Sequence, residues 1–274
     1  MMSLIAEYWP MMAALLAAGL FAGLTAGLFG IGGGVVIVPV LFYLFTALGY
    51  GETAMHVAVT TSLATIIATS IRSVSAHNTR GAVDWSVLRE WAPWIGLGAI
   101  LGMVASAWIS GRGMTIIFGS VALLLSLQFF FGRPDWKLAD DLPRGAVRGV
   151  LGSVLGALSA LMGIGGGAMG VTLMTVCGRP MHQSVGTAAG FGIAIGLPGA
   201  LLGMIVGWNK QGLPPFSLGH VNLIAFVCIA AMTVAVAPLG ARLAHAMDAR
   251  LLKKLFAVAL AFAAMNMLRQ SVFG

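Results

Sequence analysis

The chain has 274 residues, of which 59% are hydrophobic and only 8% are charged. Soluble globular proteins carry about 25% charged residues, so the composition excludes a water-soluble domain. The formal net charge of +7 indicates the basic loops of a membrane protein, which usually face the cytoplasm, and does not indicate a nucleic-acid surface.

Apolar runs recur along the whole chain, and a helix of about 20 such residues crosses the roughly 30 Å hydrocarbon layer of a bilayer. The runs are continuously apolar and do not alternate, which favours helices over a transmembrane β-barrel. In chain order, the predicted spans are 8–28, 35–49, 53–72, 85–110, 114–131, 145–162, 168–178, 183–207, 217–245 and 250–270. The sequence therefore predicts an all-α polytopic membrane protein. It has eight to ten membrane segments, depending on whether the short pieces 35–49 and 168–178 cross or re-enter.

The two halves of the chain repeat each other, in the same order, on either side of a polar stretch. The segment GLTAGLFGIGGG (23–34) aligns without a gap with GALSALMGIGGG (156–167). Later matches are Met55-His56 with Met181-His182, Thr61 with Thr187, and Ala82-Val83-Asp84 with His220-Val221-Asn222. We therefore predict a first transmembrane repeat over 1–131, a cytoplasmic linker over 132–144 and a second transmembrane repeat over 145–274.

The distribution of Lys and Arg predicts how the two repeats are oriented. Five crossings per half place twelve of the 15 basic residues on one side of the membrane, and Arg112, Lys210 and Arg269 on the other. Four crossings per half divide them nine to six. The positive-inside rule favours five crossings, and an odd number makes the repeats inverted, as in many secondary transporters.

A cluster of glycines interrupts one helix in each half. Each glycine of GIGGG (30–34) weakens a helix by about 1 kcal/mol relative to alanine, and Pro39 disfavours helix at Val38. We predict that the chain unwinds from about Gly30 to Val38 and that helix resumes near Pro39. The second cluster, GIGGGAMGV (163–171), lacks the proline.

Unwound backbone at membrane depth must be buried in protein or line a wet cavity. The helix that follows it offers free N–H groups and a partial positive charge. Two such breaks would form an anion site where the halves meet. The predicted binding glycines are Gly30, Gly32, Gly33, Gly34, Gly163, Gly165, Gly166 and Gly167. The alternative is close helix packing through small residues.

Hydroxyl and imidazole side chains supply the remaining candidates. Thr60, Thr61, Ser62 and Thr187 are predicted to donate hydrogen bonds to the anion, or else to bond helix carbonyls. His56 and His182 lie near helix starts and are candidates for proton coupling, or else for an interfacial or capping role.

The sequence also lacks the motifs of several kinds of functional site. No acidic residue lies in the middle of a predicted span, which disfavours a carboxylate proton relay or a cation cage. Cys177 and Cys228 form no CxxC motif, and no HExxH motif is present. We expect no enzyme, no cofactor and no metal site.

The duplicated GIGGG, the Met-His pair before a helix of hydroxyl or small residues, and GAVDW (81–85) resemble the TauE/SafE family. The resemblance extends from about residue 12 to residue 270. It implies a secondary carrier of the bacterial inner membrane that exports sulfite, sulfoacetate or another organosulfonate. The second half carries GHVN (219–222) where the first carries GAVD, so the halves are not equivalent.

The predicted function is thus export of a small sulfur-containing anion by alternating access. A channel for anions or small solutes and a non-transporting membrane scaffold are the alternatives. The expected partners are the small anion and the lipid bilayer, with no nucleic acid, and a homo-oligomer is compatible with the sequence.

Overall fold

The structure is a computed structural model that describes residues 2–29, 33–132, 138–246 and 249–273. Within those ranges it contains ten helices and one two-stranded hairpin. The helices are α1 (Met2–Phe29), α2 (Gly34–Ala47), α3 (Gly51–Asn78), α4 (Trp85–Ser106), α5 (Gly111–Phe131), α6 (Gly145–Met162), α7 (Gly167–Val176), α8 (Met181–Val206), α9 (Leu223–Ala246) and α10 (Ala249–Phe273). The hairpin strands are β1 (Ser217–Leu218) and β2 (Val221–Asn222).

The helices confirm an all-α polytopic membrane protein, and one helix falls in each predicted span. Within the described residues, α3, α4, α5, α6 and α8 are long and apolar enough to cross a membrane. By contrast, α2 and α7 have 14 and 10 residues. At a rise of 1.5 Å per residue they are about 21 and 15 Å long, shorter than the hydrocarbon layer.

Both glycine clusters interrupt a helix, as predicted. In the first half α1 ends at Phe29 and α2 begins at Gly34, while in the second half α6 ends at Met162 and α7 begins at Gly167. The residues that precede α2 and α7, Gly33 and Gly166, have φ values of 74° and 70°, which L side chains rarely adopt. The predicted residues Gly30 and Gly32 lie outside the described part of the chain.

The predicted length of the first break was wrong. Helix α2 resumes at Gly34, and Pro39 lies inside it. Val35, Ile37 and Val38 are 4%, 0% and 0% exposed, so tertiary packing supports helix where their β-branched side chains and the proline disfavour it.

The start of the ninth predicted span was also wrong. Residues 217–222 form the β1–β2 hairpin, in which Ser217 lies opposite Asn222, and α9 begins only at Leu223. Asn222 causes this late start because its side-chain oxygen accepts a hydrogen bond from the Ala225 N–H and caps the helix.

Helix packing follows one pattern in both halves. Helix α1 packs on α9 as α6 packs on α4, α2 packs on α3 as α7 packs on α8, and α3 packs on α9 as α8 packs on α4. If each helix of the first half is replaced by its counterpart in the second half (α1 by α6, and so on to α5 by α10) and the reverse, the contacts α3–α8 and α5–α10 remain the same two contacts. Helices α3 and α8 therefore occupy the middle of the bundle, and 78% of the apolar window of α3 is buried.

Glycines let α4 and α6 approach each other closely. A Cβ on Gly98 would overlap the Ser153 carbonyl, and one on Gly156 would overlap the Ile95 carbonyl. The close-packing interpretation of glycine thus applies at this interface, and it applies at the breaks as well, where a Cβ on Gly34 would overlap the Gly163 carbonyl.

A matched pair of substitutions on α6 tests this packing. We expect Gly156→Ala to lower the free energy of unfolding by about 1–3 kcal/mol, because the added methyl meets main chain that cannot move aside. Gly149→Ala is the control, since its Cβ would lie 3.4 Å from the Trp94 ring. The measurement is the midpoint of thermal unfolding in detergent, and equal midpoints for the two variants would contradict the prediction.

Candidate functional site at the glycine breaks

The two broken helices touch each other in the interior. Gly34, the first residue of α2, lies against the Gly163 carbonyl so closely that a Cβ would overlap it, and the same Cβ would be 3.1 Å from Ile164 Cα. Gly163 in turn lies against α3, where its Cβ would be 2.9 Å from Val59 Cα. Gly33, Gly34 and the whole of 163–167 are buried. The structure therefore brings the glycines of the two halves together beside α3.

One predicted hydroxyl binds the second break directly. Ser62 Oγ donates a 2.7 Å hydrogen bond to the Gly163 carbonyl, at the point where α6 ends and its last carbonyls lose their helical partners. At the aligned position of α8 stands Ala188, which has no hydroxyl. A side-chain hydroxyl of α3 thus bonds the second break, whereas the aligned residue of α8 has no hydroxyl with which to bond the first break.

The second break leaves main-chain donors unused. The N–H groups of Gly163, Ile164 and Gly166 bond carbonyls within the same turn. Across the described chain, the N–H groups of Gly165, Gly167 and Ala168 bond no acceptor. They belong to buried residues at the positive end of a ten-residue helix, a kind of position where main-chain N–H groups can bind an anion.

Ser70 lies on the side of α3 that faces the Gly165 carbonyl across Gly192, and it was not among the predicted site residues. A Cβ built on Gly192 would overlap Ser70 Oγ and would lie 3.1 Å from the Gly165 carbonyl oxygen. The absence of a side chain at Gly192 therefore leaves room for the Ser70 hydroxyl beside the second break. Ser70 is 4% exposed, and its hydroxyl bonds no described residue. Ser70 belongs to the hydroxyl-rich pattern of α3, but the sequence does not show which of these hydroxyls faces the second break. The structure shows it, because Ser70 lies opposite Gly192 of α8.

Thr61 and Thr187 hold loops from the opposite halves. The Asp84 N–H donates to Thr187 Oγ1 at 2.9 Å, and the Asn222 N–H donates to Thr61 Oγ1 at 3.0 Å. Asp84 and Asn222 are also the N-caps of α4 and α9. These reciprocal bonds join the aligned landmarks of the two repeats and place the threonines at the ends of the site rather than at the breaks.

The remaining hydroxyls of α3 differ in their partners. Thr65 and Thr69 donate to the carbonyls of Thr61 and Ile66 in their own helix. Thr60 is buried and packs over Gly203 of α8. Of the predicted hydroxyls, only Ser62 therefore contacts a glycine break.

The two predicted histidines lie in different surroundings. His56 Nε2 lies 3.3 Å from the Ser106 carbonyl and 3.1 Å from the Ile109 carbonyl, and its ring faces His220. His182 is exposed in the first turn of α8. The structure does not bring His56 and His182 together, and the sequence analysis missed His220 as the partner of His56.

The charged groups gather at the far end of the bundle, between the GAVDW loop and the linker. Arg179 binds Asp84 at 3.6 Å and Asp141 at 2.7 Å, Arg144 binds Asp141 at 3.0 Å, and Arg148 pairs with Glu90. They line a cleft of about 480 Å³. A hydrogen bond from the Leu142 N–H, followed by the Arg179 contact, lowers the pKa of Asp141. Because each of these arginines has an acidic partner, the cleft has no surplus of positive charge for an anion.

Within the described ranges, no group of three or more His, Cys, Asp and Glu side chains could hold a metal ion.

Comparison with known proteins agrees with this architecture. Residues 15–267 match the family described as "Sulfite exporter TauE/SafE". A "Probable membrane transporter protein" of Haemophilus influenzae is 34% identical over 92% of this chain and 96% of its own length. Similarly named proteins of Bacillus subtilis and Methanocaldococcus jannaschii are 29% and 23% identical, over 58% and 79% of this chain and 66% and 80% of theirs. No solved structure matches. The chain is a multi-pass membrane transporter that belongs to the TauE/SafE family.

Proposed function

We propose that this transporter exports a small sulfur-containing anion such as sulfite, sulfoacetate or another organosulfonate across the bacterial inner membrane. It works as a secondary carrier by alternating access. Sulfite is the substrate in the name of the matched family. The chemistry of the site supports a compact oxyanion in general.

The observation that carries the proposal is the set of unused N–H groups at Gly165, Gly167 and Ala168, beside the contact between the two breaks. Several N–H groups at a helix start bind an oxyanion without a buried counter-charge. The described glycines Gly33, Gly34, Gly163 and Gly166 give the main chain the shape of the proposed site, with Thr60, Thr61, Ser62 and Thr187 around it, while Gly30 and Gly32 remain predicted members.

The hydroxyl of Ser70 completes this set. It can turn toward an anion because it bonds no described residue, whereas Thr69, its neighbour on α3, is engaged with the Ile66 carbonyl. A hydroxyl adds a donor without the desolvation penalty of a buried positive charge. The substrate is therefore held by neutral donors, which allows it to leave again.

The symmetric packing supports two inverted repeats over 1–131 and 145–274, joined by a cytoplasmic linker over 132–144. Five helices per half make the number of crossings odd if α2 and α7 count as crossings. The loop before Asp84 and the hairpin before Asn222 each contact the central helix of the other half. In this mechanism the two loops open in turn, one on each side of the site.

Counterflow in proteoliposomes tests the function. We expect purified protein to exchange labelled sulfoacetate for internal sulfoacetate with a saturable rate, because a carrier returns through a loaded state. Methanesulfonate should compete, since it carries the same sulfonate group. Flux that stays linear in concentration would favour a channel, and no flux with any sulfonate or with sulfite would contradict the proposal and favour a scaffold.

Ser70→Ala and Thr69→Val test the site itself. Ser70→Ala should weaken the apparent affinity for sulfoacetate by roughly 10- to 150-fold, the equivalent of about 1.5–3 kcal/mol for one hydrogen bond to a charged group. Thr69→Val is the matched control, since that hydroxyl already bonds its own helix. The measurements are the half-saturation concentration for uptake and the thermal unfolding midpoint. An unchanged affinity in folded Ser70→Ala protein would remove Ser70 from the site.

A further inference from the structure

Two histidines from opposite halves of the chain stack on each other. His56 lies near the start of α3, and His220 lies in the turn of the β1–β2 hairpin. Their ring centroids are 5.2 Å apart and their planes are inclined by 32°. His220 is only 3% exposed, and its ring bonds no described residue. The pair thus joins the hairpin to the centre of the bundle through two titratable groups.

The position of His56 fixes which of its nitrogens carries hydrogen. Nε2 faces the carbonyls of Ser106 and Ile109, where α4 ends. Carbonyl oxygens only accept hydrogen bonds, so Nε2 donates in either charge state. The neutral ring then has its lone pair on Nδ1, where a further proton would bind.

The charges around the pair oppose a proton in this packed arrangement. Lys210, which follows α8, acts on both rings. Glu52 in the first turn of α3 and Arg112 in that of α5 have exposed side chains, and neither is among the groups that shift the pKa of His220. Burial, followed by His56 and Lys210, lowers the pKa of His220 from its ordinary value of 6.5 to about 4. A proton therefore binds more tightly to any arrangement in which His220 reaches water.

The hairpin is attached to α3 and α8 by two main-chain hydrogen bonds and follows a strained residue. The His220 N–H donates to the Gly203 carbonyl at 3.2 Å, and the Asn222 N–H donates to Thr61. Phe216, just before β1, has a φ of 62°, which is unfavourable for a residue with a bulky side chain. Because Gly219 packs closely on Met204 of α8, separation of the hairpin would have to move it as a unit.

We propose that His56 and His220 form one proton-binding site, and that a proton bound there releases the hairpin from α3 and from the end of α4. Because His220 binds a proton more tightly when the hairpin is open, lowering the pH shifts the population toward the open arrangement. This inference adds a proton site to the proposed carrier mechanism. It rests on the proposed function in one respect, namely that the hairpin acts as a gate. It identifies the coupling ion as H⁺.

The aligned position in the other half lacks this pair. His182 is exposed, and the residue aligned with His220 is Ala82. Proton binding therefore acts on one of the two loops, so in this mechanism it favours opening on one side of the site only. His182 is also the natural control for His56.

Hydrogen–deuterium exchange on the full-length protein in detergent tests the proposal without any substrate. We expect the amides of 216–223, corrected for their intrinsic exchange rates, to lose protection as the pH falls below 6.5. The opening equilibrium should rise by up to about tenfold per pH unit, the limit for one proton. His220→Phe, which keeps a ring, should flatten this dependence. His56→Gln, which keeps a donor for the two carbonyls, removes the contribution of the neighbouring ring but not the burial of His220, so it should weaken the dependence, whereas His182→Gln should leave it intact.

Protection that does not change between pH 7.5 and 5, or that changes equally in wild type and in both pair variants, would overturn the proposal. If one pair variant does not fold, the other decides. Failure of wild-type protein to move sulfonates would remove the proposed function but would leave the exchange result unaffected, so the two failures are distinguishable.

Discussion

A polar main-chain group that leaves a helix inside a bilayer finds no water to bind, and this constraint accounts for the centre of the molecule. The chain interrupts a helix in each half and buries both interruptions against each other and against α3. Ser62 satisfies one carbonyl there, at Gly163. What remains are N–H groups with no partner in the described chain, and a transient guest can satisfy them without any ionised side chain at the centre.

The two central helices occupy corresponding places but contribute different chemistry. Helix α3 presents hydroxyls, including Ser62 and Ser70, whereas α8 presents glycines such as Gly192 and Gly203 that let α3 approach. A duplicated scaffold therefore surrounds a site that is not itself symmetric. The same divergence appears at the loops, where Ala82 aligns with His220 and only one loop carries an imidazole.

Much of this fold follows from the sequence because its strongest signals are local. Apolar length predicts each helix, and the glycine clusters predict both breaks. The sequence failed where distant packing decides the outcome: the buried side chains of Val35 and Val38 keep α2 helical ahead of Pro39. It also failed at 217–222, where a hairpin precedes α9.

The candidate site was predictable in kind but not in detail. The glycines and the hydroxyl-rich helix identified main-chain and hydroxyl chemistry. The partner of each hydroxyl depends on residues far along the chain, such as Asn222 for Thr61 and Gly163 for Ser62. The same holds for His56 and His220, whose stacking no local pattern reveals.

The reciprocal loop bonds have a consequence for biogenesis. The partners of Ser62 and Thr61 lie 101 and 161 residues later in the chain, and Asp84 reaches forward 103 residues to Thr187. Gly163 and Asn222 are synthesised long after α3, so Ser62 and Thr61 are made before these partners exist. Neither half can form these hydrogen bonds alone, and they form only once helices from both halves are in the membrane.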